Sequence, residues 1–238
     1  CEEWDSNFSG KKKNKAADIW GGRVEHLAYG GPSMREALRL VANGVMNGGK
    51  APSQWCTDLV CLAKKKPNDD NISAIRPIKC QHVCRKALVG IPNYKLTRTR
   101  NKFNCFSKLQ FGFVNRGSTE QNIIRVIAVS EYSLLKGSDC HVGLQDVSRA
   151  YDSVEPRCGK KLALQRMHTP SKLINVYNQF EDGAWDRILT ANGCSDGYKP
   201  RRGLPQGGEE SPQQWACVYE PLLCGIEKVS DGGVLVRG

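Results

Sequence analysis

The sequence lacks the two patterns that most often explain a cysteine-rich chain or a membrane protein. No Cys-x-x-Cys pair occurs among its 11 cysteines, and the closest cluster, Cys80 and Cys84 around His82, has no second ligand pair at zinc-finger spacing. We therefore interpret the cysteines as reduced, mostly packing residues of an intracellular protein. No apolar run approaches the roughly 20 residues that span a bilayer, and the N-terminus has no signal-peptide core. No membrane partner is predicted.

Acidic residues are scarce relative to basic ones. The chain has 35 Lys and Arg against 24 Asp and Glu, a formal net charge of +11. A single lysine run is usually plain solvated surface, whereas basic clusters dispersed along a chain suit a polyanionic partner that touches several parts of a groove. The charge therefore favours a nucleic-acid partner. The clusters lie at 11–13, 64–66, 160–161 and 201–202.

Apolar spacing and turn residues predict alternating helices and short strands. Ser118 is expected to cap a helix in a capping box with Gln121, and the dipeptide Asn192-Gly193 predicts a hairpin turn. The buried side of the Ser118 helix is assigned to Ile123, Ile124, Ile127, Leu134 and Leu135. The other predicted helices are 33–45, 160–182 with a break at 169–171, and 211–228; the predicted strands are 55–63, one from residue 75, 141–147, 186–191 and 195–200.

Asp146 is the strongest candidate for a chemical role. It ends the short apolar strand predicted at 141–147 and is followed by polar residues, so its carboxylate is open to a ligand. Asp152 lies six residues later, but six residues of extended strand span about 20 Å, whereas two catalytic metals lie roughly 4 Å apart. Unless the chain bends sharply after Asp146, Asp152 caps the following helix and a second carboxylate comes from elsewhere.

Few other carboxylates in the sequence are candidates for a second metal ligand beside Asp146. Asp69 and Asp70 form the only Asp-Asp pair in the chain, and they lie among Lys, Pro and Asn residues that favour a turn. Glu209 and Glu210 stand at the start of a predicted helix, where the macrodipole stabilises negative charge. We therefore interpret all four as local structure.

Two further segments suit a phosphate-bearing or flat ligand. Three glycines and a proline at 202–208 let the backbone approach a flat ligand closely while Gln206 presents one amide, although such a loop also occurs as an ordinary turn into a helix. Lys64 opens a basic turn between two predicted strands, and Arg76 stands at the start of the second strand. Facing each other, they would form a cationic clamp, in which Arg can grip phosphate through two N–H groups.

In order and spacing these segments resemble the reverse transcriptase family, most closely its non-long-terminal-repeat (LINE-type) retrotransposon branch. The resemblance covers roughly residues 50 to 238, and its strength lies in five common motifs occurring in the family's order. They are Trp55 with 59–64, Ile75-Arg76-Pro77-Ile78 with Lys86, Gln110-Phe111-Gly112-Phe113 with 116–119, the segment 142–154, and the segment 202–223 with its Gly-Leu-Pro-Gln-Gly, Ser211-Pro212 and Pro221-Leu222-Leu223.

The resemblance implies roles residue by residue. Asp146, with the backbone carbonyl of Val147, binds the catalytic Mg²⁺ ions. Tyr151 is the steric gate that rejects a ribose 2′-hydroxyl, and Gln206 with Gly207 lies against the templating base pair. Lys64 and Arg76 hold the incoming triphosphate. The implied partners are an RNA template, a DNA or RNA primer and deoxynucleoside triphosphates, in a ribonucleoprotein of the nucleus or cytoplasm.

The resemblance also implies an α+β fold, a partial polymerase right hand without a thumb. Its palm has an antiparallel sheet with packed helices and its fingers have hairpins; residues 1–50 form a polar and helical extension and 51–238 the fingers and palm. The family's Asp-Asp motif is expected soon after Gly238, so the chain is interpreted as a fragment of an RNA-directed DNA polymerase that adds deoxynucleotides by a two-metal mechanism in its parent. Alone, it is not expected to extend a primer.

Departures from the family pattern keep two alternatives open. Gly208, Glu209 and Glu210 stand where the family usually has a small polar residue or Asp and then apolar residues, and 17–22 replaces a Gly-Pro-Asp-Gly segment. Such changes favour a decayed, non-catalytic nucleic-acid-binding remnant. A group II intron maturase or retron-type reverse transcriptase shares the palm motifs and is the other alternative.

Overall fold

The computed structural model of the chain describes residues 13–69, 71–114 and 117–229. Within them lie eight α-helices and four strands. The strands are β1 (Thr57–Lys64), β2 (Ile75–Cys80), β3 (Trp185–Thr190) and β4 (Gly193–Cys194). The helices are α1 (Val24–Tyr29), α2 (Gly31–Met46), α3 (Val83–Lys102), α4 (Thr119–Lys136), the single turn α5 (Ala150–Ser153), α6 (Lys161–Arg166), α7 (Ser171–Asp182) and α8 (Ser211–Val229).

The four strands form one mixed sheet in the order β2-β1-β3-β4. β1 and β2 make an antiparallel hairpin, and β3 pairs antiparallel with β4 around the predicted turn. β1 and β3, however, run parallel, with Asp58 opposite Asp186 and Val60 opposite Ile188. The fold is therefore a mixture of helices and strands, as expected, but its sheet is not purely antiparallel. The parallel pairing is possible because the long connection between the two strands contains helices that return the chain to the same end of the sheet.

Most of the predicted helices and turns are confirmed. The strand expected from residue 75 begins there, the helix expected at 160–182 is broken into α6 and α7, and Gly193 has a φ of +111° in the β3–β4 turn. Ser118 caps α4 through its side chain, which accepts a hydrogen bond from the Gln121 N–H at 3.2 Å. These features were predictable because each depends on a local residue preference.

Two predictions about the middle of the chain are wrong. Residues 141–147 form no strand; they are irregular, and Leu144 is 95% exposed. The apolar side chains assigned to the buried side of α4 are at least half exposed, because no other described element packs closely against them. Their exposures are 53% for Ile123, 64% for Ile124, 51% for Ile127, 80% for Leu134 and 86% for Leu135.

One hydrophobic cluster joins elements from the start to the end of the described chain. Leu27 and Leu38 of the first two helices pack in the same cluster as residues of α3, α6, α7 and α8. Asp18 adds a polar link, because its Oδ2 accepts a hydrogen bond from the Val83 N–H at 2.9 Å at the start of α3. The domain division at residue 50 stays a prediction. The largest buried apolar members are Trp55, Leu88, Leu164, Leu173, Ile174, Tyr177 and Phe180.

Within the described residues, no helix combines the length and the hydropathy that crossing a membrane requires.

Candidate functional site

The glycine-rich loop at 202–208 is held by backbone hydrogen bonds to two separate parts of the fold. The Gly203 N–H donates to the Val154 carbonyl at 2.9 Å and the Leu204 N–H donates to the Tyr151 carbonyl at 2.8 Å. On its other side, the Lys79 N–H at the end of β2 donates to the Gln206 carbonyl at 2.7 Å. The loop therefore connects the β1–β2 hairpin to the α5 turn.

Two glycines make these contacts possible. Gly207 has a φ of +114°, and a Cβ atom there would lie 2.7 Å from the Lys79 carbonyl oxygen. Gly203 has a φ of +98°, and its Cβ would lie 3.1 Å from the Asp152 Cα. Both the backbone conformation and the close approach exclude larger residues. The loop is thus a fixed structure and not a plain helix-start turn.

The Gln206 side chain is also held in place. Its Nε2 donates to Oδ1 of Asp152 at 3.1 Å, and the residue is half-buried. The prediction that Asp152 caps the following helix is wrong. Glu155 caps the short helical segment Pro156–Lys160 that leads into α6, and its carboxylate accepts hydrogen bonds from the Arg157, Cys158 and Gly159 N–H groups. Sequence reasoning missed Asp152 as a support for Gln206. No spacing rule signals a contact across 54 residues.

Tyr151 lies beside the same loop. Its carbonyl binds the Leu204 N–H, and its ring packs against Trp215 of α8 with centroids 6.0 Å apart. Trp215 in turn stacks on Tyr219 at 5.6 Å. Burial raises the pKa of the Tyr151 hydroxyl above its ordinary value. The structure therefore brings Tyr151, Gln206 and Gly207 together.

Asp146 and Val147 lie in the irregular segment before α5, where the Asp146 side chain is exposed. Asp146 belongs to no cluster of three or more carboxylate, cysteine or histidine side chains, since none occurs anywhere in the described parts of the chain. The residues present therefore do not make a binding site for a pair of divalent ions.

Lys64 and Arg76 lie at the far end of the β1–β2 hairpin, and both are exposed. They do not face each other: Arg76 is opposite Ala63, and Lys64 is opposite Ile75. Because side chains alternate between the two faces of a strand, the two cations lie on opposite faces of the hairpin. A clamp made by both would need the hairpin to bend or twist around its ligand.

A buried network of charges lies behind the loop. Arg85 of α3 pairs with Asp58 of β1 at 3.5 Å and with Glu210 at 3.1 Å, and all three side chains are at most 5% exposed. Gln81 also donates to Glu210 at 3.3 Å. Glu210 was expected to serve only the helix macrodipole, and this prediction is wrong. It follows the loop directly and anchors it to α3.

The burial of Asp58 disfavours the ionised form of its carboxyl group. Burial, partly offset by the positive charges of Arg85 and Lys79, raises the pKa of Asp58 to about 6. Next to it, Lys79 pairs with the buried Asp186 at 2.6 Å. Lys79 thus makes two contacts: its backbone N–H binds the Gln206 loop, and its side chain binds Asp186 of β3.

Two comparisons with known proteins give matches that cover most of the chain. The family model described as reverse transcriptase (RNA-dependent DNA polymerase) matches residues 63–235. The retrovirus-related Pol polyprotein from type-1 retrotransposable element R2 of Nasonia vitripennis is 22% identical over 191 residues, which cover 80% of this chain. The chain spans only 18% of the length of that relative.

Proposed function

Because this chain belongs to the reverse transcriptase family, we propose that it forms the fingers and part of the palm of an RNA-directed DNA polymerase from a non-long-terminal-repeat retroelement. One observation carries the proposal. The Gln206 loop is bonded to β2 on one side and to the Tyr151 turn on the other. Both segments resemble motifs of the family in sequence, and the loop holds them close together.

Gln206 and Gly207 are proposed to lie against the templating base pair. The amide of Gln206 is fixed by Asp152, so it presents a defined edge at small entropic cost. Gly207 is exposed and has no side chain, which lets a flat base approach the backbone.

Tyr151 is proposed to select deoxynucleotides. Its position is fixed by the Leu204 N–H and by the Trp215 ring, so the ring cannot move away easily from a bulkier sugar. A 2′-hydroxyl that meets a supported ring is rejected by overlap, whereas a deoxyribose fits. The support from Trp215 is therefore part of the proposed selectivity.

Lys64 and Arg76 are proposed to bind the triphosphate of the incoming nucleotide. Both are exposed on the basic hairpin, and Arg suits bidentate phosphate binding while Lys acts as a point charge. Since they lie on opposite faces of the hairpin, we expect unequal contributions from the two.

The proposed reaction is attack of a primer 3′-hydroxyl on the α-phosphate of a deoxynucleoside triphosphate, with pyrophosphate as leaving group. Asp146 and the Val147 carbonyl are proposed to contribute to the Mg²⁺ site of the parent protein. The described residues do not complete that site, and we propose that its other ligands lie outside them. RNA template, primer and a nuclear or cytoplasmic ribonucleoprotein are the proposed partners and location.

A second candidate function is nucleic-acid binding without catalysis. The position of Asp146 favours it, because this residue lies in an exposed irregular segment rather than on a supporting strand. The net charge of +11 provides binding in either case.

Primer extension tests the two candidates. The longest reading frame that contains this chain is assayed with Mg²⁺, an RNA template and a DNA primer. We expect extension that Asp146→Ala abolishes while binding is retained; the control Asp139→Ala changes another exposed aspartate and keeps both. Binding without any extension by the wild-type protein supports the non-catalytic candidate and contradicts the polymerase.

A further inference from the structure

A cavity of about 520 Å³ lies behind the Gln206 loop, between the sheet, α7 and the segment 199–205. This volume is typical of pockets that hold small ligands. None of the residues predicted for the polymerase site lines the cavity, although Gly203 and Pro205 of the same loop do. The cavity is therefore a separate compartment that shares one wall with the proposed template-binding loop.

The mouth of the cavity is positively charged. Lys199, Arg201 and Arg202 line it, and all three are exposed. Within the described residues none of the three makes an ion pair, in contrast to Arg157, which pairs with Asp182 at 3.5 Å. Unpaired cations at a cavity mouth attract an anion, and arginine matches the geometry of phosphate.

The floor of the cavity is polar and incompletely bonded. Asp58 and Arg85 line it and are 2% and 4% exposed. Although they pair with each other, Asp58 Oδ1 and Arg85 Nε have no hydrogen-bond partner. A buried acceptor beside a buried donor is costly unless it is satisfied. Every nucleobase offers a donor next to an acceptor along one edge, which is the complement of these two atoms.

Three prolines also line the cavity. They are Pro156, Pro200 and Pro205, whose rings can pack on the face of a base without competing for hydrogen bonds. The Glu181 and Asp182 carboxylates line it too, and each is paired with a cation. The exposed cations, the proline rings and the buried polar pair suit the phosphate, the ring faces and the base edge of a nucleotide.

We propose that this cavity binds one nucleotide unit, with its phosphate at Lys199, Arg201 and Arg202 and its base toward Asp58 and Arg85. Two sources share this chemistry: a free nucleoside monophosphate and a single unstacked residue of an RNA strand. The proposal is separate from the proposed polymerase activity, because it depends on neither Asp146 nor the hairpin cations.

Equilibrium binding to the whole chain tests the proposal with four probes: AMP, ribose 5-phosphate, inorganic phosphate and a four-residue oligoadenylate. We expect AMP to bind at least tenfold more tightly than ribose 5-phosphate, and inorganic phosphate to bind most weakly. Equal affinities for AMP and inorganic phosphate overturn the proposal, because the base would then contribute nothing. Oligoadenylate that binds more tightly than AMP identifies an RNA strand as the source, and equal binding identifies the free nucleotide.

Exposed variants localise the binding without disturbing the fold. We expect Arg201→Gln with Arg202→Gln to weaken AMP binding at least tenfold, whereas Arg98→Gln, on the exposed surface of α3 and outside the cavity, leaves it unchanged. Lys64→Gln with Arg76→Gln removes the proposed triphosphate contacts and should also leave AMP binding unchanged. The reverse pattern would place AMP in the polymerase site and overturn the cavity proposal, without affecting the proposed function.

Discussion

The Gln206 amide donates a hydrogen bond to Oδ1 of Asp152 at 3.1 Å, joining two segments that lie 54 residues apart. The backbone bonds from Gly203 and Leu204 to the same α5 turn run beside it. The loop proposed to meet the template and the turn that carries Tyr151 are therefore one structural unit. A substitution in either segment should therefore alter the conformation of the other.

The first prediction concerns this contact. Gln206→Ala and Asp152→Ala should each destabilise the fold, and the double variant should lose less than the sum, with a coupling of about 1 kcal/mol. Asp152→Asn keeps the Oδ1 acceptor and should retain most of the coupling to Gln206. Urea unfolding of the four variants measures the cycle. Strict additivity of the two alanine variants would show that the bond does not stabilise the fold.

The second prediction concerns Gly207. Gly207→Ala should destabilise the chain by at least about 2 kcal/mol, because its φ of +114° disfavours a side chain and the new Cβ would lie 2.7 Å from the Lys79 carbonyl oxygen. The control is Gly225→Ala, inside α8 with open space around it, which should be neutral or stabilising by up to about 1 kcal/mol. Both are measured by denaturant unfolding, and equal effects would contradict the loop geometry.

The third prediction concerns the buried charge network. Arg85→Met leaves the Asp58 and Glu210 carboxylates buried without their shared partner, so the free energy of unfolding should fall by about 3 to 5 kcal/mol. Arg98→Met, on the exposed face of the same helix, should change it by less than about 0.5 kcal/mol. A similar midpoint for both variants in urea would rule out the network as described.

The fourth prediction concerns pH. The pKa of Asp58 is raised from 3.8 to about 6 in the folded chain, so the folded state binds the extra proton between these two pH values. The contribution of Asp58 to stability should therefore fall as pH rises from about 4 to about 6, by up to about 3 kcal/mol, and then level off. Unfolding of wild type and Asp58→Asn across this range isolates the effect. A difference in unfolding free energy between the two proteins that stays constant across this pH range would contradict the prediction.

How far the sequence predicts this fold depends on the range of the interaction. Ser118 at the start of α4 and Asn192-Gly193 in the β3–β4 turn were predicted because each acts on the backbone within a few residues. The parallel pairing of β1 with β3 brings together segments more than a hundred residues apart, and no local pattern encodes it.

In the candidate site, too, local features were predicted and long-range contacts were not. Gln206 and Gly207 were identified from the loop itself, but the roles of Asp152 and Glu210 were misassigned as helix capping and dipole effects. Both residues bind partners far along the chain, Asp152 through Gln206 and Glu210 through Arg85. An apolar run also suggested a strand before Asp146, yet that segment is exposed and irregular, because no described strand lies beside it to pair with it.

Photo-crosslinking shows whether the Gln206 loop contacts the template base. An RNA template with 4-thiouridine at the templating position is annealed to a DNA primer, bound to the chain, irradiated and digested with trypsin. We expect the crosslink to lie in the peptide 203–228. Gln206→Ala should lower its yield, and a 4-thiouridine placed ten nucleotides away should not label this peptide. Crosslinks confined to the helix 119–136 or to the N-terminal segment before residue 50 would contradict it.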